Sequence, residues 1–308
     1  MDVSYRQLKA FIALIETKSF TLAANRNCVT QSALSQALKK LEEQFGVALI
    51  EKHGRSFIAT KSGIHLYEDA LYITHRLERI KQDYQAGMYP SLRVSAIYTM
   101  ASSLIPKALQ ALLINLPNLQ FKLYEYRIDD IEKAVKNGST DIGISTRPHD
   151  RELIFEPLFA DYLCFVCHQS HKLAQVASVS IKDIADDVNI GVSPNNSLRH
   201  LADLAFEKYG LQHDPEMNIS HTATIIGMVE NKIGTAILSS TIGYIDQSSR
   251  ICFIPITPKI YREIGVLTHP ENRNTVTREF TRNLYEKLNS WSPILEGFAF
   301  LKGTYSRS

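Results

Sequence analysis

In the first sixty residues the hydrophobic positions recur at helical spacing in three short bursts. Leu8, Phe11, Ile12 and Ile15 follow Ser4-Tyr5-Arg6-Gln7, which has the Ser-x-x-Gln spacing of a capping box, and predict a first helix to about Glu16. Lys18-Ser19 breaks it, and Phe20 to Cys28 reads as a short second helix with Ala23 and Ala24 for close packing. After a tight turn at Val29-Thr30, with Thr30 as N-cap, a third helix runs from Gln31 to about Phe45 and stops at Gly46. Leu49 to Thr60 alternates loosely around Gly54, as in a two-stranded hairpin.

From Lys61 the period changes. Leu66, Ala70, Ile73, Leu77, Ile80 and Tyr84 recur at alternating steps of four and three, a heptad seam that Gly87 and Pro90 end. A solitary amphipathic helix on its own domain fits this pattern, but the narrow 3.5-residue register favours a dimer-forming coiled coil. From Ser91 onward strand and helix patterns alternate: LRVSAI, a helix over 105–116, FKLYEYR, a helix over 129–137 and DIGIST. The beat then repeats with YLCFVCH, a helix from Asp183, VNIGVS, helices over 198–209 and 222–231 around INIS, TAILSS and a last helix over 277–288. Such alternation predicts an α/β fold with mainly parallel sheets in two lobes.

The third helix has a peculiar solvent side. At roughly 100° per residue, Leu34, Leu38, Leu41 and Phe45 share one stripe, while Ser32, Ser35, Gln36 and Lys39 lie opposite. The exposed side is short and polar or basic from Gln31 to Lys39, and acidic at Glu42 and Glu43. A helix read by the DNA major groove has this asymmetry, since its N-terminal residues meet the base edges. Gln pairs with adenine edges, Ser reaches bases or phosphates, and Lys39 can meet a phosphate. A capped helix, a short helix, a tight turn, this helix and a basic hairpin make a winged helix-turn-helix. Thr30, Gln31, Ser32, Ser35, Gln36 and Lys39 are the candidate DNA contacts, with Lys52, His53 and Arg55 on the wing.

Composition adds little against this and some support. The chain has 308 residues, 44% hydrophobic and 21% charged, ordinary for a globular protein. Its net charge of +2 divides unevenly: residues 1–65 hold nine Lys/Arg against five Asp/Glu, and the remainder is slightly acidic. A basic N-terminal segment is a weak pointer to nucleic acid. No apolar run reaches the ~18 residues of a membrane span, and the N-terminus lacks the pattern of a signal peptide, so a cytoplasmic protein without a membrane partner is expected.

The stretch from Leu8 to Gly63 resembles the N-terminal domain of LysR-type transcriptional regulators. The resemblance rests on the spacing of Phe11, Ser19-Phe20-Thr21, Ala23-Ala24, Gln31-Ser32-Ala33-Leu34-Ser35, Leu41-Glu42, Gly46-Val47, Leu49 and Thr60-Lys61-Ser62-Gly63. Two positions depart: Ile50-Glu51-Lys52 stands where the family has Phe-x-Arg, and Ala59 where it has Leu. Lys keeps the charge of Arg but loses its planar fork. The resemblance implies a multi-domain α/β chain: a winged helix-turn-helix over 1–61, a linker and dimerisation helix over 62–89, and an effector-binding regulatory domain over 90–308. That domain would resemble type 2 periplasmic solute-binding proteins, with lobe I at about 90–160 and 266–308 and lobe II at about 161–265. Implied partners are double-stranded promoter DNA, a small-molecule effector, further copies in a dimer of dimers, and RNA polymerase.

Ligands of α/β lobes sit beyond strand C-termini, near helix N-termini. The candidate effector residues are therefore Tyr98, Thr99, Met100 and Ser102 after the first strand, Arg127 and Ile128 after the second, and Thr146 and Arg147 after the third. In the other lobe they are Pro194, Asn195, Asn196, His221 and Thr222. Arg127, Arg147 and His221 favour an anionic effector such as a carboxylate, unless the arginines pair with Asp129, Asp130 or Asp150. The run Cys164 to His171 contains C-x-x-C-H, but in a strand Cys164 and Cys167 point to opposite faces, so buried structural thiols are expected. No dinucleotide, P-loop, nucleophile-elbow or zinc-protease motif occurs, so no cofactor, metal or enzymatic activity is expected. A solute-binding module and an α/β enzyme with a helical N-terminal domain are the alternatives; a signal peptide or a catalytic constellation would favour them.

Overall fold

The computed structural model describes residues 3–53, 56–85, 87–194, 196–245 and 248–289. Helices α1 (Tyr5–Thr17), α2 (Phe20–Arg26) and α3 (Gln31–Phe45) pack around one apolar centre. Each begins at a hydroxyl cap. Ser4 and Gln7 close the expected capping box, Ser19 accepts from Leu22, and Thr30 accepts from Ala33. Phe11, Leu14, Leu34 and Leu41 are at most 1% exposed and form the middle of this core. Phe45 departs from the expected stripe at 37% exposure and is not among the residues packed on this core. The wing follows as β1 (Ile50–His53) paired antiparallel with β2 (Ser56–Ala59).

The linker helix α4 (Lys61–Gln85) divides the heptad seam between two uses. Ala70 is fully buried in the DNA-binding core and Leu66 packs against it. Ile73, Leu77, Ile80 and Tyr84 are 41–67% exposed. The split follows the faces of α4: α1 packs on the face that carries Ala70 and reaches as far as Glu78, while the later seam residues stay exposed. The Tyr5 hydroxyl donates to Glu78 at 2.6 Å, and Lys9 reaches the same carboxylate at 3.0 Å. Another face of α4 docks on the regulatory domain. Tyr72 stacks on His269 at 4.0 Å, and the buried Arg79 meets Asp141 at 2.5 Å.

Lobe I contains β3 (Ser91–Ala96), α5 (Tyr98–Ser102), α6 (Leu104–Asn115), β4 (Gln120–Glu125), α7 (Ile128–Lys136) and β5 (Ile142–Thr146). The 15-residue strand β6 (Ile154–His168) then crosses into lobe II, which holds α8 (Ile181–Ile184), β7 (Ile190–Val192), α9 (Ser197–Glu207), β8 (Met217–Ile219), α10 (Thr222–Glu230), β9 (Ala236–Ser239), α11 (Ser240–Ile245) and β10 (Ile251–Pro255). Strand β11 (Tyr261–Thr268) returns to lobe I, and α12 (Thr275–Asn289) packs there on α6.

The sheets are mixed rather than mainly parallel. β3 pairs parallel with β4 and β5, and β7 with β8 and β9, but β6 and β11 run antiparallel to each other and to their other neighbours. Strand β11 carries the chain back into lobe I, where Ile264 to Leu267 pair with β5. Each lobe has its own core, one around Phe159 and Phe280, the other around Phe165 and Phe206. No helix among the described residues is long and apolar enough to cross a membrane.

Candidate nucleic-acid interface and effector cleft

On α3, Gln31, Ser32, Ser35, Gln36 and Lys39 are all exposed on the side away from the core. Thr30 is exposed too; its hydroxyl caps Ala33 at 3.2 Å and shares a hydrogen bond with Ser32 at 3.0 Å. The first turn of α3 carries no acid, so the positive end of the helix is open to a phosphate. Lys39 lies 3.7 Å from Glu43, and both side chains are mostly exposed. Such a pair is worth little and leaves Lys39 free to exchange partners. Glu42 does more than keep phosphate away. Its carboxylate accepts the backbone N–H groups of Leu49 at 2.8 Å and Ile50 at 3.4 Å, which ties the end of α3 to the wing. The backbones of Lys52 and His53 pair with Phe57 and Ser56, and Arg55 lies outside the described residues.

A cavity of about 410 Å³ opens between the lobes. The fold brings Tyr98, Thr99, Arg127 and Ile128 to it from lobe I, and Asn196, His221 and Thr222 from lobe II. Met100 and Ser102 do not join them. Their segment is the helical turn α5, which turns Met100 into the lobe I core and folds the Ser102 hydroxyl back onto the Tyr98 carbonyl at 2.9 Å. Thr146, Arg147 and Pro194 line a second opening of about 460 Å³ that shares Ile128, Asn196, Ser197 and Arg262 with the first. Arg147 is occupied there: it donates to Glu263 at 2.9 Å and lies 4.7 Å over the Phe155 ring. The acid is not one of the three aspartates expected from the sequence; Asp150 pairs with Lys136 instead. Asn195 lies outside the described residues.

The shared floor is a group the sequence reading missed. Arg262 of β11 faces Asp161 of β6, and the two are at most 5% exposed. Arg262 donates through Nε to Asp161 at 2.8 Å and through Nη1 to Ser197 at 3.2 Å, while the Thr241 hydroxyl donates to Asp161 at 3.0 Å. Ser193 and Ser220 also line the cavity and share a hydrogen bond at 2.9 Å.

The cavity is rich in donors. Helices α7 and α10 begin at Arg127 and His221 with no side-chain cap, unlike α1, α2, α3 and α8. Neither cap side chain takes their first N–H groups; α7 carries Asp129 and Asp130 in its first turn, and α10 carries no acid there. The buried Thr99 hydroxyl lines the same cavity without a partner. Glu125 is the one acid among the described lining residues.

The cysteines are elsewhere. Cys164 and Cys167 are buried on β6, and burial pushes both thiols up to about 12, which makes them poor nucleophiles. No group of three His, Cys, Asp or Glu able to hold a metal ion occurs among the described residues.

Comparison with known proteins agrees with this geometry. Residues 5–64 match the family model described as bacterial regulatory helix-turn-helix protein, lysR family, and residues 86–289 match the LysR substrate binding domain. The HTH-type transcriptional regulator CysL of Bacillus subtilis is 26% identical over 281 residues, which cover 89% of this chain and 94% of that protein. BenM of Acinetobacter baylyi is 25% identical over 293 residues, covering 92% and 94%. Among solved structures, full-length OxyR from Pseudomonas aeruginosa superposes with a TM-score of 0.62 at 20% identity, covering 92% of this chain and 98% of that one. Full-length CbnR in complex with its target DNA gives 0.54 at 21% identity, covering 92% and 99%. Two family models that together span nearly the whole described chain place it in one family: this is a LysR-type transcriptional regulator, with a DNA-binding helix-turn-helix domain and an effector-binding domain.

Proposed function

We propose that this regulator reads promoter DNA through Gln31, Ser32, Ser35 and Gln36, with Thr30 and Lys39 on phosphates and the wing residues Lys52, His53 and Arg55 against the backbone or minor groove. The observation that carries this reading is the exposed, acid-free first half of α3 above a fully buried leucine stripe. The paired copy is held through Ile73, Leu77, Ile80 and Tyr84, whose exposure on α4 supports a helix–helix seam. Leu66 and Ala70, expected in that seam, serve the DNA-binding core instead. A dimer of dimers, a cytoplasmic location and contact with RNA polymerase belong to the same reading.

The effector site is the interlobe cavity, held by Thr99, Arg127, Asn196, His221 and Thr222 with Tyr98 at its mouth. Uncapped helix ends and an unpartnered Thr99 hydroxyl favour an anionic group on the effector, a carboxylate in particular. Arg147 carries less of that preference than its sequence position implied, since Glu263 neutralises it. The test has two arms. Binding of promoter DNA is measured against salt for the parent and for Gln31→Ala with Ser35→Ala. Losing base contacts worth about 1–3 kcal/mol each should collapse the specificity ratio and spare non-specific binding. An unchanged ratio overturns the assignment. Separately, a thermal-shift screen of organic acids should stabilise the parent and fail with Thr99→Ala; no stabilisation by any acid overturns the anionic effector.

A further inference from the structure

A different cavity, of about 450 Å³, lies where α4 meets the regulatory domain, lined by none of the interlobe residues. Arg76 and Arg79 reach it from α4, and Arg273 from the loop before α12. Arg79 is 8% exposed; it gives one N–H to Asp141 and leaves its Nε without a partner. Arg93, equally buried nearby, donates to Gln82 at 2.8 Å and leaves Nη1 unpaired. The Arg79 guanidinium and the Arg93 backbone N–H both go to the buried Asp141 carboxylate, so the Arg93 guanidinium is bonded to the Gln82 amide and to no acid of its own. Burial, together with the nearby Arg79 charge, lowers the Arg93 guanidinium. Arg273 meets Glu271 at 3.3 Å, with both side chains mostly exposed, and Arg76 is in no ion pair among the described residues. The first turn of the 15-residue helix α12, at Thr275 and Val276, forms the facing side. Two acids share the rim: Asp83 takes the Ser91 hydroxyl at 3.3 Å and Glu279 the Asn115 amide at 3.0 Å, so the three arginines outnumber them by one.

We infer that this junction is a second ligand site, for a tetrahedral oxyanion (phosphate or sulfate, free or carried on a small molecule), held between α4 and the start of α12. Guanidinium forks match such oxyanions in geometry as well as charge. The bound anion bridges the linker helix to lobe I, so it stiffens the joint that orients the DNA-binding domain.

The experiment is calorimetric titration and thermal unfolding of the full chain with inorganic phosphate, sulfate and glycerol phosphate, against chloride at equal ionic strength. The expected result is saturable binding and stabilisation by at least one of the three. Affinity should fall at least tenfold in Arg76→Ala with Arg273→Ala, neither of which is buried, and be unchanged in the cleft variant Thr99→Ala. The ranking of free and organic anions identifies the source. Stabilisation that rises with concentration and never saturates is an ion effect only and overturns the site. Saturable binding that survives the double variant, or that is lost in Thr99→Ala, overturns it too. A failed acid screen of the cleft leaves this outcome untouched.

Discussion

The Arg262–Asp161 pair makes a quantitative prediction. Arg262→Met removes two charge-assisted hydrogen bonds and leaves a carboxylate of 0% exposure with only the Thr241 hydroxyl as donor. Breaking a buried pair from one side costs about 3–5 kcal/mol, because the remaining charge has no compensation. For a domain of roughly 200 residues that corresponds to a fall in Tm of about 6–20 °C. Arg262→Met combined with Asp161→Leu removes both charges and should return to within about 1–2 kcal/mol of the parent, since an apolar pair of similar volume fits the same space. The cycle is closed by Asp161→Leu alone, with thermal and urea unfolding of the full chain followed by circular dichroism. The reasoning fails if Arg262→Met lies within about 1 kcal/mol of the parent, or if the double variant is as unstable as the two single changes added together.

Other outcomes follow from single positions. A Cβ on Gly63 would stand 2.0 Å from the Leu49 carbonyl oxygen, so Gly63→Ala should destabilise the DNA-binding domain by about 1–3 kcal/mol, read as a lower urea midpoint; an unchanged midpoint refutes the contact. Leu77→Glu alters a residue 47% exposed, so it should leave the fold intact while weakening self-association at least tenfold in sedimentation; an unchanged mass distribution counts against the α4 seam. His213 is held low by burial, although its Nδ1 lies 2.7 Å from Asp203 and pulls the other way. The folded imidazole binds its proton less readily than the unfolded one. Its contribution is therefore complete above the unfolded value of 6.5 and is lost as pH falls below it. Melting temperatures from pH 8 to 5 should decline more steeply for the parent than for His213→Gln, and parallel profiles would exclude His213 as a source.

The helix-turn-helix was legible because its signals are local. Ser4, Thr30 and Gly46 act within one turn of themselves, and a leucine stripe declares its own buried face. The regulatory domain was legible in its α/β beat but not in its crossing strands. The register of β6 shifts between Phe159 and Pro157, opposite Ile264 and Gly265, and a Cβ on Gly265 would stand 2.5 Å from the Glu156 carbonyl oxygen. A strand containing proline does not read as interior, and nothing near Arg262 in sequence names Asp161, a partner 101 residues away. A separation of 62 residues hid the Arg79–Asp141 contact in the same way. A heptad seam also cannot say which of its residues face home: Ala70 and Ile73 look alike in the repeat and part ways only when α1 lies down beside α4. The Met100 expectation failed for a related reason, since a helical turn sends adjacent side chains in different directions.

The docking of α4 has a mechanical meaning. Glu68, Tyr72 and Arg79 all hold α4 to lobe I, so the helix turns with that lobe as a rod that measures about 27 Å from Arg79 to Lys61, at ~1.5 Å per residue. Glu78 clamps α1 to that rod through Tyr5 and Lys9, so the rod carries the reading head with it. A tilt of only about 7° at Arg79 sweeps the far end through about 3 Å, close to the ~3.4 Å step between stacked base pairs. A change in lobe I too small to notice as a rearrangement is thereby geared up to the spacing of the DNA letters themselves.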